Sequence, residues 1–290
     1  MSWILAWTRQ REGALMAEKI VLEGVAVTDC GQVRAHNEDA VFLDLEAGLA
    51  VLADGMGGYN AGEVASGLAV NLISQGLMAH LPLDKPGARN EAAGTGSEAT
   101  RLVEEQVVLA NRGILEAAAT QAECAGMGTT VVVALFHWGK ACVGHVGDSR
   151  LYRWRKGVLE QLTRDHSFLQ EQVESGVLTE DEARRSTYRS LLTRALGIDP
   201  EIEPEIADYA LDEGDLYLLC SDGLTDMLEA EDLRSIIGQG EAPVADIAAH
   251  LVAEANARGG RDNISVILIR VPAGFLQAAP WWQRWLPGHS

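Results

Sequence analysis

Four apolar runs in this chain end on, or begin just after, an acid set close to glycine. "VLADG" closes on Asp54-Gly55, "GHVGDSR" on Gly147-Asp148, and "LLCSDG" on Asp222-Gly223 with Asp226 four residues on. "GGRDNISVILI" places Asp262 just before its apolar run, and "RAHNED" sets Glu38 and Asp39 ahead of Val41. One Asp-Gly junction is an ordinary turn, with the aspartate bonding its own backbone. Four or five in one sheet protein collect carboxylates at one end of the strands. Mutual repulsion forbids that unless cations lie between them.

An oxygen-only donor set points to hard divalent ions, Mg²⁺ or Mn²⁺, and no His or Cys cluster offers a softer site. Glycine after the aspartate lets a backbone carbonyl approach a metal closely. Two cations about 3.5 to 4 Å apart, bridged by one carboxylate, activate a water for in-line attack on phosphorus. Such chemistry needs a grip on the phosphoryl oxygens. Arg34 lies four residues before Glu38, and a guanidinium holds phosphate bidentately where lysine cannot. Taken alone, Arg34 reads as a surface salt bridge.

These groups need a sheet to carry them. "IVLEGVAV" (20–27) and "VFLDLEAGLAVLAD" (41–54) read as strands, the second a hairpin turning near Glu46 to Gly48. From Ala61 to about His80, Val64, Leu68, Leu72 and Leu77 recur at roughly helical spacing. "LPLDKPGARNEAAGTGSEAT" reads as a surface loop. A second helix, Glu98 to Thr120, is amphipathic through Leu102, Val103, Val107, Ala110 and Ile114. From Thr129 to Leu162 the spacing predicts three or four strands, with turns at His137 to Lys140, Gly147-Asp148 and Lys156-Gly157. Residues 165–197 are polar and helical, with a Thr179 to Glu182 capping box, and form a small insert in the sheet. Strands return at "GDLYLLCSDG" and "NISVILIRV", with helices at about 229–237 and 243–258 between them. That order predicts an α+β fold with mostly antiparallel pairing.

The composition narrows the function. The chain has 290 residues, 47% hydrophobic, with a formal net charge of -19. So acidic a surface argues against non-specific nucleic-acid binding, which needs a basic footprint. No run reaches the roughly 18 apolar residues of a membrane span. The apolar patch at the start precedes its basic residues, the reverse of a signal peptide. Cys30, Cys124, Cys142 and Cys220 make no C-x-x-C pair and read as free thiols in a reducing compartment. A cytoplasmic, monomeric protein without a transmembrane segment is expected.

"GQVRAHNEDA", "LADGMGGYNAGEVAS", "GMGTTVV", "GHVGDSRLY", "LTRDHS", "LLCSDGLTDML" and "GGRDNISVI" resemble, in this order, the motifs of the metal-dependent protein phosphatases of type 2C. The "DGMGG" form and the insert resemble the bacterial members. The resemblance runs from about Val21 to Val271. It implies a four-layer αββα sandwich of two mostly antiparallel sheets flanked by helix pairs. It implies hydrolysis of phosphoserine and phosphothreonine in proteins, opposing a bacterial serine/threonine kinase. By the same resemblance Asp54 bridges two Mn²⁺ or Mg²⁺ ions, Gly55 offers its carbonyl to one, and Asp222 and Asp262 hold the other. Glu38 anchors a metal-bound water, Asp148 with Asp222 forms a weaker third site, and Arg34 binds the substrate phosphate.

The chain departs from the family pattern in two places. Animal members carry a histidine, proposed as general acid, where this chain has Met56. Methionine has no proton to give, which leaves metal-bound water to protonate the leaving group. In the insert, Ser186-Thr187 and Arg189-Ser190 stand where bacterial members often show His-Pro and Arg-Asn. The expected organisation is an N-terminal extension (1–18), a phosphatase domain (19–272) with its insert at 165–197, and a Trp-rich tail (273–290). Met16 is a second plausible start. Two other classes of function stand beside phosphatase. A binding module without turnover would be expected to have lost a ligand, and a two-metal nuclease would need a basic groove.

Overall fold

The apolar runs pair into two antiparallel sheets, each with a pair of helices on its outer face. The computed structural model describes residues 22–57, 61–83, 97–184, 186, 188, 191–239 and 242–275. The first sheet contains β1 (Glu23–Asp29), β7 (Arg150–Arg155), β8 (Val158–Gln161), β10 (Leu216–Cys220) and β11 (Ile264–Arg270), in the order β1-β11-β10-β7-β8. The second contains β2 (Asp39–Asp44), β3 (Leu49–Met56), β5 (Val131–His137), β6 (Lys140–Val146) and β9 (Glu205–Ala210), in the order β2-β3-β5-β6-β9. The short β4 (Gly128–Thr129) pairs with the end of β3.

Side chains alternate along these strands, and the alternation builds three apolar layers. Val131, Val133 and Leu135 pack outward against α1 (Ala61–Met78) and α2 (Glu98–Thr120). Val132, Ala134 and Phe136 of the same strand face inward and meet Tyr217, Leu219, Ile267 and Ile269 of the other sheet. Leu216, Leu218 and Cys220, with Val266 and Leu268, pack outward against α6 (Ala230–Ile237) and α7 (Val244–Ala257). The result is the four-layer αββα sandwich expected.

Most elements fall where the sequence places them, α2 to the residue. Three differ. Leu72 and Val64 lie on the outer side of α1, while Ala61, Ala65, Ala69, Ile73 and Leu77 face the sheet. Alanines let a helix approach a sheet closely, a face that a search for large apolar residues overlooks. β9 was not expected; it is an edge strand carrying Glu205 and Asp208 and only partly buried. Among its described residues, the 165–197 insert is helical at α3 (Phe168–Glu174) and α4 (Glu180–Arg184). The capping box at α4 is formed: Glu182 N–H donates to Thr179 Oγ1 (3.2 Å), and Thr179 N–H to Glu182 Oε2 (2.8 Å). The expected extension, much of the Trp-rich tail, and Thr187, Arg189 and Ser190 lie outside the described residues.

Candidate active site

Asp54 sits near the end of β3, directly across from Asp39 on β2. Its backbone is fixed on both sides: its N–H donates to Thr130 Oγ1 (3.0 Å), and its carbonyl accepts from Thr130 N–H (2.9 Å) and Thr129 Oγ1 (2.8 Å). Thr130 Oγ1 also lies 2.7 Å from Ser149 Oγ, which joins this strand end to the turn carrying Asp148. Gly55 is required by space. A β-carbon there would lie 2.1 Å from the Gly62 carbonyl oxygen and 2.6 Å from that of Glu38.

Glu38 is held through its backbone, its carbonyl accepting from Gly55 N–H (3.1 Å) and its N–H donating to Asn263 Oδ1 (2.7 Å). Asn263 also donates through Nδ2 to the carbonyls of Cys30 (3.0 Å) and His36 (2.9 Å). One amide thus ties the Cys30–Glu38 loop to the start of β11. Asp222 opens the one-turn helix α5 (Asp222–Thr225). The preceding Ser221 donates its hydroxyl hydrogen to Asp39 Oδ2 (2.8 Å). Asp262 Oδ1 accepts from Asn263 N–H (2.9 Å), and its Oδ2 accepts from Arg34 Nη2 at 2.6 Å.

Asp39, Asp54, Asp148, Asp222 and Asp262 form one electrostatic cluster. Burial, then Asp39, Asp222, Asp148 and Asp262, push the Asp54 carboxyl well above the usual carboxylate range. Burial, then Asp148, Asp226 and Asp262, do the same to Asp222. Asp148 is pushed up to about 7 by burial and Asp165, against the pull of Arg150. Asp39 is pushed up to about 6 by burial, despite the hydrogen bond from Ser221. Glu38 is raised by burial and Asp262 against the pull of Arg34. Partial burial disfavours the Arg34 charge, but Asp262, Glu38 and Asp222 hold it protonated.

All the sequence-predicted site residues therefore converge, Arg34 at the rim on Asp262. Three residues belong with them to which the sequence reading assigns no role, two of them (Asp39 and Asp226) already among the collected carboxylates. Asp39 is half-buried, and its Oδ1 is shut off from solvent with no hydrogen-bond partner. Asp226 lines the same cleft as Asp148 and Asp222. Asn263 braces the loop that carries Arg34 and Glu38. Adjacency to Glu38 and to the Asp222-Gly223 pair was the available signal for the first two; a bracing amide carries none.

A cleft of about 1060 Å³ opens from Asp148, Asp222 and Asp226 and runs between the insert, through Leu169 and Val173, and Glu229. The insert thus forms one wall of the space that leads to the carboxylates. The donor set fits hard cations: buried oxygens, among them an orphaned one on Asp39, crowd one another without enough positive charge to offset them. Among the described residues the positive charge at this cluster comes from Arg34 and Arg150. β3 ends on Met56, whose side chain has no proton to donate.

A protein phosphatase 2C family profile matches residues 28–264. The serine/threonine phosphatase stp of Listeria innocua is 33% identical over 245 residues, covering 83% of this chain and 93% of that protein. PstP of Mycobacterium tuberculosis, a serine/threonine protein phosphatase, is 38% identical over 252 residues, 87% of this chain and 45% of that longer protein. The crystal structure of the PstP catalytic domain with two manganese ions superposes with a TM-score of 0.74 at 36% identity, over 87% of this chain and 99% of that one. With the αββα sandwich and the carboxylate cluster in hand, the conclusion is direct: the chain belongs to the protein phosphatase 2C family.

Proposed function

We propose that this chain, a phosphoprotein phosphatase by its family, removes phosphate from phosphoserine and phosphothreonine in proteins with the help of two divalent cations, Mn²⁺ or Mg²⁺. The observation that carries the reading is the clustering of Asp54, Asp222, Asp262 and Asp148, whose charges the cations beside them among the described residues, Arg34 and Arg150, are too few to offset. Asp54 and the Gly55 carbonyl would hold one ion, with Glu38 anchoring a water on it, and Asp54, Asp222 and Asp262 would hold the other. Asp148 with Asp222 would form a weaker third site. When bound, the ions supply an activated water and offset charge on the phosphoryl oxygens.

The protein's own groups do the rest. Arg34 stands at the rim on a loop fixed by Asn263, where its guanidinium can grip two phosphoryl oxygens as negative charge builds on them. That guanidinium pairs with Asp262 at 2.6 Å. The phosphopeptide lies in the cleft between the insert and α5, so the insert contributes to the choice of substrate. Residues 19–272 form the catalytic unit, and the physiological substrates are targets of a serine/threonine kinase. The test is phosphate release from phosphoserine and phosphothreonine peptides, with and without Mn²⁺. Release that continues in excess chelator, or no release with Mn²⁺, would refute the reading.

A further inference from the structure

The insert leaves the sheet at Asp165-His166, and His166 is buried although it belongs to neither a strand nor a helix. Its ring stacks on His145 of β6, centroids 4.8 Å apart and planes 19° off parallel. His166 and Gly147 exchange two hydrogen bonds. The His166 N–H donates to the Gly147 carbonyl (2.9 Å), and the Gly147 N–H donates to His166 Nδ1 (3.2 Å). The His166 carbonyl in turn accepts from Thr193 N–H (2.9 Å), at the far end of the insert. One residue thus touches both roots of the insert and the residue immediately before Asp148.

His145, His166 and Glu205 come close enough to hold an ion, but the hydrogen bonds argue otherwise. Nδ1 accepts from Gly147, so in the neutral ring the hydrogen sits on Nε2, which lies 3.2 Å from Glu205 Oε1 without making a hydrogen bond to it. That ring keeps no lone pair for a metal. Its available work is to accept the Gly147 N–H, which is buried and otherwise without an acceptor. Gly147 has φ +105°, and a β-carbon there would lie 2.6 Å from Thr130 Cγ2. The turn is therefore wedged against Thr130 on one side and held by the imidazole on the other, with Asp148 projecting from it.

We propose that His166 is a positioning residue for Asp148, coupling the seat of the insert to the weaker cation site; this rests on the role proposed above for Asp148. The experiment compares His166→Ala, His166→Asn and His166→Gln in the full chain, each checked for folding by circular dichroism. Mn²⁺ binding is followed by calorimetry, and phosphopeptide kcat and KM are measured alongside.

Removing the ring should weaken the weakest Mn²⁺ event by about 10- to 100-fold, as loss of an outer-shell partner does, and leave the tight events unchanged. Asparagine places an acceptor oxygen where Nδ1 lies, so His166→Asn should recover most of the affinity and the KM. Glutamine reaches only the Nε2 position and should not. Unchanged weak-site affinity in folded His166→Ala overturns the proposal. If that variant fails to fold, equal behaviour of the Asn and Gln variants overturns it instead. Asp148→Ala is the reference and should abolish the weak event outright. If that event persists there, the role assigned to Asp148 fails, and the coupling with it, whatever the His166 variants do.

Discussion

Replacing Asp148 with asparagine should stabilise the protein when metals are removed, although it damages the site. Asp148 is buried among Asp165, Asp226 and Asp222, and its carboxyl is pushed from an ordinary 3.8 up to about 7. The native state therefore holds a proton that the unfolded chain releases between those two values. Stability falls as pH rises from about 4 to about 7 and stays at the lower level above that. The full displacement corresponds to about 4 kcal/mol at pH 8, at 1.36 kcal/mol per pK unit. Part of it is lost because Arg150 and the neighbouring carboxylates readjust, so a gain of about 2 to 4 kcal/mol is expected for Asp148→Asn. For a domain of this size that is a rise in Tm of roughly 5 to 15 °C.

The assay is urea or thermal denaturation of the wild type and Asp148→Asn after exhaustive chelation, at pH 8 and at pH 4. The variant should be the more stable at pH 8, and the gap should shrink to less than about 1 kcal/mol at pH 4, where the wild-type carboxyl is protonated in the native state and nearly half protonated in the unfolded chain. Adding Mn²⁺ should narrow or invert the order at pH 8, because ions that bind only the native state stabilise it in proportion to their affinity. A variant no more stable than the wild type at pH 8, or a gap of the same size at pH 4, would refute the electrostatic account of this cluster.

Asp54→Asn should abolish phosphopeptide hydrolysis by several orders of magnitude in a folded protein; near-native turnover would remove Asp54 from the bridging role. Arg34→Ala should raise KM and lower kcat while calorimetry shows tight Mn²⁺ binding intact, and the reverse pattern would make Arg34 structural. Asp148→Ala should damage phosphopeptide hydrolysis far more than p-nitrophenyl phosphate hydrolysis, since serine alkoxide needs a proton and p-nitrophenolate hardly does. Equal losses would mean a general collapse of the cluster. Burial and His145 lower His166 from 6.5 to about 4, so the native state loses stability as pH falls through that interval, by about 3 kcal/mol. His166→Asn should show a correspondingly shallower decline between pH 6.5 and pH 4 in urea midpoints, and an unchanged slope would contradict the burial of a neutral ring.

Much of the fold was legible because the two sheets are buried on both faces, and their strands are short apolar runs punctuated by glycine. The turn at Trp138-Gly139 and that at Lys156-Gly157 each have positive φ at both positions, the backbone that marks tight hairpins. β9 escaped because an edge strand needs only one partner and tolerates Glu205 and Asp208, so its composition resembles a loop. The inner face of α1 escaped for a related reason. Its contact with the sheet depends on how close the helix comes, and small residues set that distance without standing out as apolar.

The site divides in the same physical way. Asp54, Asp148, Asp222 and Asp262 could be found because each stands where a strand meets a turn, and a charge in that place demands an explanation. The hydroxyls and amides that aim them stand in no such place. Ser221 donates to Asp39 and accepts the Ser265 N–H (2.9 Å), and Ser265 Oγ donates to Thr28 Oγ1 (2.8 Å). These residues lie on β1, at the end of β10 and on β11, so the chain links the first sheet to a carboxylate on β2 of the second. Thr130 and Ser149 make a second such link, between Asp54 and the Asp148 turn. The carboxylates therefore lie across the seam between the sheets, and the distances among them depend on how the two sheets dock. A sequence records which groups end the strands; the docking that brings Asp39 to Ser221 is a property of the packed interior between them.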